Sequence, residues 1–161
     1  MKSKIMLLVF WTASFSCFSQ EELKGKVTKV IDGNTIEITF SNGELYKVLL
    51  HGIDCPELGQ NFAENAKTFV EKLLLNKNVT VVVRGKDRQG NRMGDISVEG
   101  VPDPKRELIR TGLAWTTEQN DELESLKEHA RVQGLGLWSD ENPTPPWIYR
   151  RQQSMLQSKS S

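Results

Sequence analysis

Alternating hydrophobic and polar residues predict β-strands in the first part of the chain after residue 24. Residues 25–31 and 35–40 both alternate, and each segment is followed by a turn rich in Asp, Asn, Gly or Ser. Residues 44–53 return as a third strand. Because the turns are short, we expect these three strands to form an antiparallel meander.

The hydrophobic period changes to that of a helix between Phe62 and Leu74, where apolar residues recur at steps of three and four. Two further strands and two further helices are predicted downstream, at residues 79–84, 93–98, 105–111 and 121–133. Five short strands with a helix between the third and the fourth predict a mainly β fold. The expected architecture is a five-stranded barrel of the oligonucleotide/oligosaccharide-binding (OB) type with three helices.

The two ends of the chain differ in composition from the middle. Residues 1–19 join a short basic start to an apolar run that is too short to cross a bilayer, which predicts a signal peptide and a secreted or periplasmic protein. Cys17 leaves a second route open, as the lipid-modified first residue of an anchored lipoprotein. Residues 20–140 form the predicted domain. Residues 141–161 are Pro-rich and then rich in Gln and Ser, so we expect an extended segment and a disordered tail.

Charge and cysteine content exclude several classes of protein. The chain carries 21 Lys and Arg against 21 Asp and Glu, so its formal net charge is zero and no general basic surface for nucleic acid is indicated. Two cysteines cannot build a disulfide framework or a Cys-rich zinc site. No segment after the signal peptide is apolar enough to span a membrane, and we expect a monomer.

Five motifs occur in the order and spacing of the staphylococcal nuclease family, which the chain resembles over nearly the whole predicted domain. They read VIDGNT, GIDCPE, DRQGN, RELIRTGLAW and GLGLWS, at residues 30–35, 52–57, 87–91, 106–115 and 134–139. The resemblance implies an OB barrel with three helices and a calcium-dependent phosphodiesterase that acts on DNA and RNA. In that family carboxylates and a backbone carbonyl hold Ca²⁺, a glutamate activates water, and two arginines clamp the phosphate.

Carried over residue by residue, the resemblance assigns part of this site. Asp54 and the backbone carbonyl of Cys55 match metal ligands, and Asp32 matches a nearby acid. Glu57 matches the water-activating glutamate. Asn34 stands where the family has its other principal metal aspartate, which keeps a ligating oxygen but removes a charge. We therefore expect weakened Ca²⁺ binding.

The two clamp arginines of the family fall on Leu49 and Asn91. Removing one preorganised donor to a transition-state charge typically costs about 10²–10³ in rate, so we expect a degenerate site with weak or absent hydrolysis. Two alternatives stay open. In the first, the domain is a competent nuclease in which Lys47 or Arg92 substitutes for the arginines. In the second, the barrel is a module that binds nucleic acid or protein without catalysis.

Overall fold

The computed structural model describes residues 21–159, so the expected signal peptide and Cys17 lie outside the described residues. Seven strands, four α-helices and one short 3₁₀ helix follow one another along this part of the chain. Their bounds are β1 Glu22–Val30, β2 Thr35–Phe40, β3 Leu45–Leu50, β4 Ile53–Asp54, α1 Ala63–Leu74, β5 Asn78–Lys86, β6 Arg92–Ser97, α2 Pro104–Arg110, β7 Trp115–Thr116, α3 Asp121–Val132, the 3₁₀ helix Gly136–Ser139 and α4 Pro146–Lys159.

Five of the strands close into a barrel in the order β1, β2, β3, β6 and β5, which confirms the barrel predicted from the sequence. The pairs are antiparallel except for β3 and β6, which run parallel. Apolar residues that alternate along the strands point inward and are fully buried, among them Val27, Ile36, Ile38, Val48 and Val81. The period-two pattern thus becomes one continuous core inside the barrel.

A small second ribbon positions the site. The chain leaves β3, turns at Gly52 and enters β4, which pairs antiparallel with β7, so that Asp54 lies opposite Trp115. Gly52 has φ of +81°, and a Cβ there would lie 2.5 Å from the carboxyl carbon of Glu118. Glycine is therefore required both by the backbone conformation and by the close approach of Glu118. The turn fixes Asp54 at the edge of the barrel.

The C-terminal segment differs from the sequence-based expectation. Residues 146–159 form the helix α4, where the composition indicated an extended segment and then disorder. Pro146 occupies the first helical position, which proline favours, and it is fully buried. Trp147 packs against Trp115, with ring centroids 6.4 Å apart. Contact with the domain thus stabilises a helix that the local sequence does not predict. Residues 21–159 therefore contain four α-helices instead of the three expected.

Smaller differences concern the ends of elements. The predicted third strand is interrupted after Leu50 by the turn at Gly52, and the fifth barrel strand begins at Arg92. Within residues 21–159, none of the helices has the length and apolar character needed to cross a membrane.

Candidate functional site

A cavity of about 640 Å³ opens beside the ends of β3 and β4 and the turn before β6. It collects most of the residues that the sequence singled out, although they come from separate parts of the chain. The lining residues that matter for the chemistry of the cavity are Asp32, Asn34, Leu49, Asp54, Glu57 and one residue not predicted from the sequence, Arg150.

The turn between β1 and β2 forms one side of this cavity. A carboxylate oxygen of Asp32 accepts a hydrogen bond from the backbone N–H of Asn34 at 3.0 Å. The side-chain oxygen of Asn34 accepts one from the backbone N–H of Cys55 at 3.3 Å. The first bond lies within the turn, and the second holds the turn against the segment that follows β4, so Asp32 and Asn34 line the same cavity as Asp54.

Asp54 and Glu57 stand at different depths. The side chain of Asp54 is 12% exposed, whereas that of Glu57 is 36% exposed. The backbone N–H of Glu57 donates to the side-chain oxygen of Gln60 at 2.9 Å, which fixes the loop that carries it. Cys55, between them, is buried, and this burial, together with the charges of Asp32 and Asp54, raises the pKa of its thiol. The thiol is therefore protonated at neutral pH and unsuited to act as a nucleophile.

Arg150 of α4 reaches into the cavity and joins the two carboxylates. Its two terminal nitrogens donate to the two oxygens of Asp54, at 3.2 Å and 2.8 Å. One of the same nitrogens also donates to Glu57. The hydrogen bond with Asp54 is the largest cause of a pKa of Arg150 above its usual value. Sequence reasoning missed this contact, because Arg150 and Asp54 lie 96 positions apart and the pair Arg150–Arg151 is typical of an ordinary solvated surface.

The two positions of the missing clamp arginines are occupied differently. Leu49 is half-buried, lines the cavity and lies beside Met93 in the parallel pairing of β3 and β6. Asn91 is tied to its own turn, since its side-chain nitrogen donates to Asp87 at 2.8 Å and its backbone N–H donates to the same carboxylate at 2.9 Å. Neither residue presents a positive charge to the cavity.

The two substitute residues considered from the sequence do not line the cavity formed by residues 21–159. Lys47 is exposed and lies opposite Glu37 of β2. Arg92 is in register with Val48, whose side chain points into the barrel, and its guanidinium stacks over Tyr46 at 3.6 Å from the ring centroid. Arg92 thus lies on the face of the sheet opposite Leu49, and the interpretation of Arg92 as a clamp substitute is wrong because alternate residues of a strand face opposite sides.

Other cations near the cavity were missed by sequence reasoning. Arg88 is exposed and lines the mouth of the cavity. Lys105 contacts Asp95 at 2.8 Å and Glu118 at 3.3 Å. Burial alone would lower the pKa of Lys105, but the hydrogen bond to Asp95 and the nearby charges raise it above the usual value. Lys105 is thus charged and already paired, and Arg88 is the exposed cation at the mouth.

As arranged, the donors of the cavity do not fit a calcium ion. Ca²⁺ takes about six to eight oxygen ligands, yet both oxygens of Asp54 are bonded to Arg150 and the amide oxygen of Asn34 is bonded to Cys55. Among residues 21–159 there is no group of three or more His, Cys, Asp or Glu side chains placed to hold a metal ion.

Residues 47–140 match the family model described as "Staphylococcal nuclease homologue". The chain belongs to the staphylococcal nuclease family. It is 35% identical over 132 residues to an "Uncharacterized endonuclease" of Escherichia coli O157:H7, which covers 80% of this chain and 86% of the relative. It is 32% identical over 152 residues to an "Uncharacterized endonuclease" of Haemophilus influenzae, covering 92% and 84% respectively. It is 30% identical over 143 residues to the "Micrococcal nuclease" of Shigella flexneri, covering 81% and 82%.

The extent of the family match divides the cavity of this staphylococcal nuclease homologue. Leu49, Asp54 and Glu57 fall inside the matched residues 47–140, whereas Arg150 lies beyond them. The two carboxylates that contact Arg150 thus come from the matched part of the chain, and the guanidinium that bridges them comes from a helix outside it.

Proposed function

We propose that this chain is an exported domain of the staphylococcal nuclease family in which phosphodiester hydrolysis is weak or absent. One observation carries the proposal. The cavity wall that should present an arginine to the phosphate presents the apolar side chain of Leu49. Export through residues 1–19 is part of the proposal and depends on the signal-peptide pattern in the sequence.

The transition state of phosphodiester hydrolysis carries more negative charge than the substrate. When water attacks a phosphodiester, negative charge builds on the phosphoryl oxygens, and donors aimed at those oxygens lower the barrier. Leu49 has no donor, and the amide of Asn91 is bonded to Asp87. Arg150 is close by, but two carboxylates already surround its guanidinium. A phosphate would therefore meet no arginine at the two clamp positions, and Arg88 at the mouth of the cavity is the exposed cation nearby.

Part of the hydrolytic machinery remains. Glu57 has the residue type and the partial exposure of a group that orients water. Asp54 is more buried than Glu57, because 12% of its side chain is exposed against 36% for Glu57. These residues make slow cleavage possible, and the donors needed to stabilise the transition state are what the site lacks. Calcium dependence is a separate prediction, because the donors as arranged do not fit the ion.

The proposal is tested by incubating the mature protein with denatured DNA and with RNA, in Ca²⁺ or in chelator. Staphylococcal nuclease with both arginines serves as the reference, and Glu57→Gln serves as the matched control for cleavage that arises at this site. We expect a rate at least about 10²-fold below the reference, with any residual cleavage lost in Glu57→Gln. Calcium-dependent cleavage within about tenfold of the reference, abolished by Glu57→Gln, would overturn the proposal.

A further inference from the structure

We propose that Arg150 occupies, from within the chain, the position beside Asp54 where the family resemblance implies a metal ion, so that helix α4 and a divalent cation compete for this carboxylate. This inference rests on the proposed function in one respect, namely that the carboxylates of Asp54 and Glu57 belong to the hydrolytic site. What is new is that Arg150 of α4, a residue of the same chain, controls access of a cation to the site.

Arg150 contacts Asp54 through both of its terminal nitrogens. The guanidinium faces Asp54 with one nitrogen on each carboxylate oxygen, at 3.2 Å and 2.8 Å, and also contacts Glu57. Such a paired contact matches the planar guanidinium to the planar carboxylate and is among the stronger ion pairs in proteins. Since both oxygens of Asp54 are engaged, a metal ion can coordinate this carboxylate only if Arg150 leaves it.

Helix α4 is anchored on the pair of strands β4 and β7, which carries Asp54. Trp147 packs edge-on against Trp115, and Trp115 pairs with Asp54 between β7 and β4. Arg150 follows Trp147 by three positions, so the two side chains lie on neighbouring parts of one helix face. The aromatic contact therefore directs Arg150 toward Asp54.

The segment around the start of α4 also contacts the loop that carries Glu57. The side-chain nitrogen of Gln60 donates to the backbone carbonyl of Thr144 at 2.8 Å. The hydroxyl of Tyr149 lies so close to Gly59 that a Cβ added there would be 3.0 Å from its oxygen. The segment before Arg150 is thus held against both carboxylate-bearing elements, and the contact is a feature of the folded domain.

The contact between Arg150 and the two carboxylates is open to solvent. Arg150 is 49% exposed, and every residue from 151 to 159 is exposed. Solvent can replace the partners of Arg150 without unfolding of the barrel, because none of these later residues belongs to the core. By thermodynamic linkage, the cation and the attached helix α4 weaken each other's binding by the same factor.

Calorimetric titration of the mature protein with CaCl₂ tests this competition. The variants are Arg150→Gln, Arg150→Lys and Arg151→Gln, the last a matched control because Arg151 is exposed and has no ion pair among the described residues. We expect Arg150→Gln to bind Ca²⁺ about tenfold more tightly than the wild type, which corresponds to about 1.4 kcal/mol. Arg151→Gln should match the wild type, and Arg150→Lys should fall between because an ammonium lacks the guanidinium fork.

Equal affinities for the wild type and Arg150→Gln, or no binding by either when circular dichroism shows both folded, would overturn the inference. Tighter binding by Arg151→Gln to the same degree would also overturn it, since the effect would then be one of general charge. The readout is independent of hydrolysis. If the wild type proved to be a fast nuclease, the proposed function would fail while the comparison of affinities would still decide whether Arg150 competes.

Discussion

The cavity of this protein has two walls that differ in how they carry charge. The strand wall, which consists of Leu49 and Met93, is uncharged and is fixed by the register of the barrel. The helix wall consists of Arg150, which carries a positive charge and is held by an ion pair, on the helix α4 that Trp147 attaches through an aromatic contact. The strand wall is where the resemblance implies a phosphate clamp, and the helix wall is where this chain has an arginine.

The comparison shows that a cation in the right cavity is not the same as a cation available to a substrate. Arg150 lies beside the carboxylates, but their charges already surround it. An arginine at position 49 would instead extend from β3, beside Met93 and opposite Thr35, on a different side of the cavity from Arg150.

The largest single effect is expected on the strand wall. Leu49→Arg should raise the rate of DNA cleavage by about 10²-fold, because it returns one donor to the side of the cavity where Leu49 now lies. The rate is measured on denatured DNA. Lys47→Gln is the matched control and should leave the rate unchanged, since Lys47 does not line the cavity of residues 21–159. A loss of cleavage in Lys47→Gln would show that the strand wall is not neutral.

A smaller effect is expected on the helix wall. Trp147→Ala removes the contact with Trp115 and should raise hydrogen exchange of the amides in the first turns of α4 about tenfold, which corresponds to about 1.4 kcal/mol of local stability. Met155→Ala is the control on the same helix, because Met155 is exposed and lies outside the anchored turns. Exchange unchanged by Trp147→Ala would mean that the aromatic contact does not hold the helix.

The smallest effect concerns Arg92, which belongs to neither wall. Arg92→Gln should lower the free energy of unfolding by about 0.5–1 kcal/mol, because it removes the stacking of the guanidinium over Tyr46. DNA cleavage should not change. Denaturant unfolding gives the free energy, and the same substitution in a Tyr46→Leu background should cost less. A selective loss of cleavage in Arg92→Gln would instead place this arginine at the substrate.

The fold could be predicted because alternation and helical spacing are local signals. Each barrel strand buries every second side chain, so residues such as Ile36 and Ile38 show their orientation in the sequence itself. The helix α4 could not be predicted in this way. Its composition is polar, and its stability depends on the contact between Trp147 and Trp115, which only the tertiary structure brings together.

The site divides along the same line. The motifs placed Asp32, Asn34, Asp54 and Glu57 near one another, and the structure has them around one cavity. Arg150 was missed because a contact between residues 96 positions apart leaves no pattern in a single sequence. Arg92 was one of two alternatives left open, and its side chain lies on the face opposite Leu49 because a shift of one residue along a strand reverses the face.

Hydrolysis is expected to be weak because Leu49 and Asn91 stand at the positions of the two clamp arginines. The most direct measurement compares the wild type with the triple variant Asn34→Asp, Leu49→Arg, Asn91→Arg on denatured DNA in Ca²⁺, after circular dichroism has shown both to be folded. The account predicts a rate for the triple variant at least about 10³-fold above that of the wild type. A folded triple variant that cleaves no faster than the wild type would contradict it.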